Sequence, residues 1–98
     1  MTSKQRSYLK GLAMNMDSVF QIGKSSLTPE VTQAVSEVLE ARELVKLTVL
    51  KNCLDDGSSI AQVLAERTRS EVVQVIGRKI VLYRPAKDPQ KRKIQLPS

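Results

Sequence analysis

The residues best suited to chemistry form one short run, Gly23-Lys24-Ser25-Ser26-Leu27-Thr28. The run lies between a predicted strand and a predicted helix that begins with Thr28 and Pro29, a favoured cap and first-turn residue. Backbone N–H groups at such a junction point outward, and Lys24 adds a positive charge. The loop is therefore suited to binding a phosphate group.

Two kinds of phosphate site fit this loop. A nucleotide-hydrolase loop ends in Gly-Lys-Ser/Thr, as Gly23-Lys24-Ser25 does, but it needs a glycine five positions before Gly23, where Ser18 stands. A loop that clamps a nucleic-acid backbone is a Gly-x-x-Gly turn, in which Gly23 is the first glycine and Ser26 replaces the second. A connecting loop that binds no ligand also fits the same residues. The choice among these three interpretations therefore depends on the rest of the sequence.

Charge is distributed unevenly along the 98 residues. The chain has 16 Lys and Arg against 10 Asp and Glu, a net charge of +6. Residues 1–24 carry +3, residues 25–71 carry −3 and residues 72–98 carry +6. This asymmetry predicts a polyanionic partner, a nucleic acid or a membrane surface, bound where the two basic ends share a face.

Composition excludes several classes of function. The chain has no His and one Cys, so an imidazole base, an internal disulfide and a zinc site are excluded, and a reducing, cytoplasmic location is expected. No apolar run reaches the ~20 residues that span a bilayer, and we expect no signal peptide at the N-terminus. Asp55 and Asp56 fit a helix cap before Gly57 and Ser58 better than a metal pair. We expect no metal, no cofactor and no membrane span.

Hydrophobic spacing predicts the elements that position these residues. Helices are expected from Ser3, as cap, to Leu12, from Pro29 to about Ala41, and after the Asp55–Ser59 cluster to Arg69, with Ile60, Val63 and Leu64 buried. Strands are expected at 18–22, 43–50, 72–76 and 80–83. Gly77 would open a type II′ hairpin turn with Arg78 and Lys79 at or beside its tip.

The predicted fold class is α/β with the order α-β-α-β-α-β-β. We expect a two-layer sandwich in which the helices cover one side of a mixed four-stranded sheet and the other side faces water. Residues 1–86 would form a single domain, and residues 87–98 a basic C-terminal tail, to which Ile94 and Leu96 could add an extended segment.

Several segments together resemble the CRM (chloroplast RNA splicing and ribosome maturation) domain, in its stand-alone bacterial, YhbY-like form. The resemblance runs from about Lys4 to Leu96. The matching segments are Lys10-Gly11-Leu12-Ala13, the loop from Gly23 to Thr28, Glu43-Leu44-Val45-Lys46-Leu47, and Val73-Gln74-Val75-Ile76-Gly77-Arg78 continuing into Val81-Leu82-Tyr83-Arg84-Pro85.

The resemblance implies a fold similar to the C-terminal domain of bacterial translation initiation factor three, RNA binding, and association with precursors of the large ribosomal subunit. It assigns RNA contact to Gly23–Ser26. Ser26 departs from the family's usual second glycine, but a serine hydroxyl can donate a hydrogen bond to phosphate, so we expect binding to be kept. We therefore expect a non-enzymatic, monomeric protein that binds ribosomal RNA and has neither a membrane partner nor a small-molecule substrate. The predicted RNA-contacting residues are Lys4, Arg6, Lys10, Gly23, Lys24, Ser25, Ser26, Arg78, Lys79 and Arg84, with Tyr8 as the aromatic most readily placed beside them.

Two alternatives remain open at this point. The Gly23-Lys24-Ser25 loop could bind a nucleotide, which predicts ATP or GTP binding with magnesium. The domain could instead be a protein-interaction module on the ribosome, which predicts ribosome association that survives nuclease treatment.

Overall fold

The computed structural model describes residues 1–98, in which helices and strands alternate until a closing hairpin. The elements are α1 (Ser3–Met14), β1 (Phe20–Ile22), α2 (Pro29–Arg42), β2 (Leu44–Val49), α3 (Gly57–Thr68), β3 (Glu71–Ile76) and β4 (Lys79–Tyr83), followed by a short 3-10 helix, Pro89–Lys91. The predicted order is confirmed. None of the helices combines the length and the apolar composition that a membrane crossing requires.

Each helix begins at a side chain that accepts a hydrogen bond from the first turn. Thr28 caps α2 by accepting from the Val31 N–H, and Asp56 caps α3 by accepting from the Ser59 N–H. Both caps were predicted. At α1 the cap is Thr2, which exchanges hydrogen bonds with Gln5 in a capping box, so the prediction of Ser3 was one residue late.

The four strands form one mixed sheet in the order β1-β2-β4-β3. β1 pairs in parallel with β2, with Phe20 opposite Leu47, while β4 pairs antiparallel with both β2 and β3. The hairpin turn between β3 and β4 contains only Gly77 and Arg78. Gly77 has φ of +56° and Arg78 has no positive φ, which is the type II′ combination that the sequence predicted.

The main core lies between one face of the sheet and the helices α2 and α3. It contains Val45, Leu47 and Val49 of β2 with Ile80 and Leu82 of β4, against Val35 and Leu39 of α2 and Ile60 and Leu64 of α3. The predicted face of β2 is therefore correct. Val63, predicted to be buried, is 38% exposed, and Ala61 and Ala65 are buried on α3 instead.

The prediction that all helices cover one side of the sheet was wrong for α1. Leu9 and Ala13 of α1 pack on the opposite face, against a second cluster that contains Leu44, Val73, Val81 and Tyr83. β2 and β4 thus carry apolar side chains on both faces. Because only one face of β2 was recognised as apolar, the second face was predicted to be solvated, whereas α1 covers part of it.

Residues 87–98 lie against the body of the protein rather than apart from it. Ile94 and Leu96 pack on the cluster beneath α1, and the Gln5 side chain donates to the Pro97 carbonyl at 3.1 Å. The anchor is Glu43, which is fully buried between α2 and β2. Its carboxylate accepts hydrogen bonds from the N–H groups of Ala86, Lys93 and Ile94 at 2.8, 2.6 and 2.9 Å.

A second carboxylate holds the start of the same segment. Glu40 accepts hydrogen bonds from the N–H groups of Lys87 and Asp88, and these bonds lower its pKa. At Glu43, burial raises the pKa, but the three N–H donors and nearby Arg92 outweigh burial and hold it below its usual value. Both carboxylates are therefore ionised when the C-terminal segment is docked.

These depressed pKa values predict loss of stability in acid. A group whose pKa is lower in the folded state stabilises the fold fully above its unfolded pKa, about 4.3 for Glu, and loses that effect as pH falls through the folded value. Urea denaturation across pH should show a free energy of unfolding that changes little from pH 7 to about 5 and falls steeply below about 4.

Glu43→Gln should cost about 1–3 kcal/mol at pH 7, because it weakens hydrogen bonds to a buried charge. The matched variant Glu37→Gln, on the exposed face of α2, should change stability by less than about 0.5 kcal/mol. Equal stability of the two variants would contradict the anchoring role of Glu43.

Candidate nucleic-acid interface

Three loops meet at one end of the sheet. β2 links them, since the Leu50 N–H donates to the Ile22 carbonyl at 2.8 Å and the Val49 N–H donates to the Arg78 carbonyl at 2.6 Å. The loop after β1 thus lies beside the loop after β2 and the hairpin turn. Gly23 lies against the side chain of Asn52. A Cβ atom added at position 23 would be 3.4 Å from the Asn52 Oδ1.

The first of these loops is a tight four-residue turn. The Ser26 N–H donates to the Gly23 carbonyl at 2.9 Å, which leaves Lys24 and Ser25 exposed at the corner and Gly23 and Ser26 half-buried. α2 begins three residues later, so its N-terminus lies behind the turn. This is a geometry in which backbone N–H groups, the helix dipole and Lys24 can act together on a phosphate.

Ser26 occupies a left-handed conformation, with φ of +55°. Glycine adopts this conformation without steric cost, which gives a physical reason for a second glycine at this position. The Ser26 hydroxyl donates to the Asp55 carboxylate in the neighbouring loop. The expectation that this hydroxyl donates to phosphate is therefore corrected, because its hydrogen atom is already engaged within the protein.

The turn is too short to wrap the phosphates of a bound nucleotide. Residues 20–22 form β1, and Ser18 lies beside β2 with its hydroxyl 2.6 Å from that of Thr48. The residues that would form the glycine-rich part of a nucleotide-hydrolase loop are thus extended along the sheet. The geometry favours the clamp for a nucleic-acid backbone over the nucleotide-hydrolase loop.

Exposed cations extend from this turn across the same end of the molecule. Lys51 and Arg78 line one shallow depression, and Lys79 lines a groove with Lys10 of α1. We call the following set the basic surface: Lys10, Lys24, Lys51, Arg78 and Lys79, all of which are exposed. Lys51 was missing from the sequence prediction. Its position two residues after β2 could have revealed it, because parallel pairing with β1 brings that position beside the Gly23 turn.

Arg84 does not belong to the basic surface, and its predicted contact with phosphate was wrong. The residue is only 8% exposed. The guanidinium donates to the Ser36 hydroxyl and carbonyl at 3.1 and 2.9 Å and to the Thr68 carbonyl at 2.8 Å, and it lies 3.7 Å from Glu40. Arg84 therefore joins β4 to α2 and to the end of α3.

The three cations of α1 do not share one face. Arg6 is half-buried and donates to the Val72 and Val73 carbonyls of the edge strand β3. Lys10 faces the groove, whereas Lys4 lies about 120° away around the helix axis at 3.6 residues per turn. Tyr8 is 42% exposed. It follows Lys4 by one helical turn and therefore lies on the same side of α1 as Lys4, away from Lys10. Of the α1 residues predicted to bind RNA, only Lys10 joins the basic surface.

Acidic side chains lie mostly away from the basic surface. Glu30 and Glu37 line a shallow depression on the outer face of α2, which covers the side of the sheet opposite α1. Asp55 and Asp56 are exceptions, since both lie in the loop after β2. Asp56 is committed to capping α3, and hydrogen bonds from the Ser59 N–H and hydroxyl lower its pKa.

Aromatic residues take little part in this surface. Tyr83 is buried beneath α1, and burial raises the pKa of its hydroxyl. Phe20 packs against the main core. Both positions agree with the predicted role of these residues in packing, so the sheet offers no aromatic platform for stacked bases.

The chain matches a family model described as the CRS1/YhbY (CRM) domain over residues 1–84. The Bacillus subtilis "Probable RNA-binding protein YqeI" is 39% identical over 97 residues, which make up 99% of each chain. An "RNA-binding protein" of Haemophilus influenzae is 34% identical over 97 residues, 99% of this chain and 95% of that one. The solution structure of protein SAV1595 from Staphylococcus aureus matches 99% of both chains with a TM-score of 0.80 and 46% sequence identity.

The buried position of Arg84 predicts a large effect on stability. Arg84→Ala should lower the free energy of unfolding by about 2–4 kcal/mol, because it leaves buried carbonyls without donors. The control Arg78→Ala removes the same side chain from an exposed turn and should change stability by less than about 0.5 kcal/mol. Urea denaturation of both variants measures the difference, and similar small effects would show that Arg84 is not a structural clamp.

The conformation of Ser26 predicts different effects on stability for two small substitutions. Ser26→Ala loses the bond to Asp55 and keeps the left-handed strain, so it should cost about 0.5–1.5 kcal/mol. Ser26→Gly loses the same bond but relieves about 1 kcal/mol of backbone strain, so its stability should stay close to that of the unmodified protein. A glycine variant less stable than the alanine variant in urea denaturation would contradict this account.

Proposed function

This chain belongs to the CRS1/YhbY (CRM) domain family, and on that premise we propose that it is an RNA-binding protein. The observation that carries the proposal is the basic surface, in which Lys24 lies in the Gly23–Ser26 turn at the N-terminus of α2 and four further exposed cations extend across the same end of the sheet. The RNA-binding names of the Bacillus subtilis and Haemophilus influenzae relatives support it. The proposed activity is binding, with no reaction catalysed.

The composition of the basic surface indicates how RNA would be bound. Lysine and arginine side chains reach phosphates, which carry no sequence information, so affinity would depend mainly on charge. The turn places Lys24 and the exposed Ser25 where a phosphate can approach the backbone closely. Such an approach suits single-stranded segments and junctions, whose backbones are free to bend into a short loop.

We further propose that the RNA is ribosomal and that the protein assists assembly of the large ribosomal subunit, as a cytoplasmic monomer. This step rests on the resemblance to the family. Crosslinking in cells followed by sequencing of the attached RNA should recover large-subunit RNA above other abundant RNAs. Association with subunit precursors that survives complete nuclease digestion would favour a protein-interaction module instead.

Charge-driven binding predicts a steep dependence on salt. If the five cations of the basic surface each neutralise one phosphate of single-stranded RNA, the plot of log affinity against log salt should have a slope of about −3.5. Affinity should then fall roughly a hundredfold between 50 and 200 mM salt in a filter-binding titration. A nearly flat response would contradict phosphate contact by this surface.

The turn should contribute to binding whatever the RNA sequence. Lys24→Glu should weaken the binding of mixed-sequence, single-stranded RNA by about tenfold, because it places a negative charge at the phosphate site. Lys87→Glu makes the same charge change on the exposed C-terminal segment beside Glu40 and should weaken binding by less than about threefold. Equal losses in the two variants would remove the turn from the site.

A further inference from the structure

A groove of about 640 Å³ lies beside the contact between α1 and the adjoining face of the sheet. It opens where α1 leaves part of that face uncovered, beside the hairpin β3–β4. Its volume lies within the roughly 300–1,000 Å³ that is usual for small-ligand sites. Lys10 and Lys79, two members of the basic surface, line it, so the groove adjoins the proposed RNA-binding region.

The groove is strongly biased toward a negatively charged ligand. Lys10, Lys46 and Lys79 contribute to its lining, and no carboxylate does. Lys46 donates to the Ala13 and Met16 carbonyls at the end of α1, at 3.3 and 3.2 Å. Three ammonium groups around one groove repel each other, and bound phosphates would relieve that repulsion.

Part of the lining is apolar and solvent-exposed. Met14 is 77% exposed and Ile76 is 63% exposed, at the end of α1 and at the end of β3 respectively. The floor between them includes the buried side chains of Ala13 and Val81. A ligand made of phosphates alone would leave these apolar side chains exposed to water, whereas the flat face of a nucleobase would cover them.

Gly11 in the last turn of α1 has no structural explanation within the protein. Its φ is not positive, and an added Cβ would meet no atom within 4 Å. Alanine would favour the helix by roughly 0.5–1 kcal/mol, so glycine here lowers helix stability without any return in packing. Gly11 lines the groove, and the absence of a side chain leaves the helix backbone open to a ligand.

We propose that this groove holds one unpaired nucleotide of the bound RNA. The base lies against the bare backbone of Gly11 and the side chains of Met14 and Ile76, and the lysines neutralise the flanking phosphates. Gln74, also in the lining, can donate to and accept from the edge of the base. This inference rests on the proposed function. It proposes that the protein contacts a base of the RNA in addition to the phosphates bound by the basic surface.

The test compares two RNA probes of equal charge. One is a mixed-sequence, single-stranded 12-nucleotide RNA, and the other has the same length and phosphates but no bases. The unmodified protein should bind the RNA with bases about tenfold more tightly, because one base face buries apolar area against the groove. Gly11→Phe fills the groove and should lose most of this preference, whereas Gly11→Ala adds only a methyl group and should retain most of it.

A second measurement does not depend on the folding of any variant. The chain has three methionines, Met1, Met14 and Met16, so labelling their methyl groups gives three NMR signals. The Met14 signal should move on addition of the RNA with bases, because a stacked ring shifts a nearby methyl resonance, and should move little with the abasic probe. Met1, at the opposite end of α1, should be unaffected.

The outcomes separate this inference from the proposed function. If the unmodified protein binds neither probe, the proposed RNA binding fails. If it binds both probes equally, or the Met14 signal responds equally to both, RNA binding stands and the nucleotide groove is wrong. A base preference that Gly11→Phe retains in a folded protein would also overturn the groove assignment.

Discussion

Strand β2 is the element on which the candidate site depends. Because it pairs in parallel with β1 and antiparallel with β4, it brings the end of β1, its own end and the β3–β4 turn to one end of the sheet. Two backbone hydrogen bonds, from Val49 to Arg78 and from Leu50 to Ile22, fix these loops side by side. Cations that are distant in the sequence therefore share one surface. Part of the excess positive charge of a chain with a net charge of +6 is thus concentrated where a partner can bind it.

Charges with a structural role lie at the other end of β2. Glu43, just before β2, accepts three backbone hydrogen bonds from the segment that follows β4, and Arg84, just after β4, joins that strand to α2 and α3. Both side chains are buried and their polar contacts lie within the protein. The sheet thus separates the charged groups that hold the fold together from those that remain free for a partner.

The parts of the fold that depend on local chemistry could be predicted from the sequence. Thr28 with Pro29 begins α2, and Gly77 forms the hairpin turn, since each effect acts within four residues. The errors concern distant contacts. The inward direction of Arg84 depends on Ser36 and Thr68, and α1 lies on the second face of the sheet because Leu44 and Tyr83 meet across paired strands. At the candidate site, the Gly23–Ser26 turn was predictable from its residues, whereas Lys51 required knowledge of the parallel pairing.

Mapping single-stranded RNA on the protein by amide NMR tests the central claim most directly. Titration of the labelled protein with a mixed-sequence 12-nucleotide RNA should shift the amides of residues 23–26, 51–52 and 77–79 and of the last turns of α1. The outer face of α2, around Glu30 and Glu37, should remain unchanged. Shifts centred on that face of α2, or on the C-terminal segment around Arg92, would contradict the claim that RNA binds at the end of the sheet that β2 assembles.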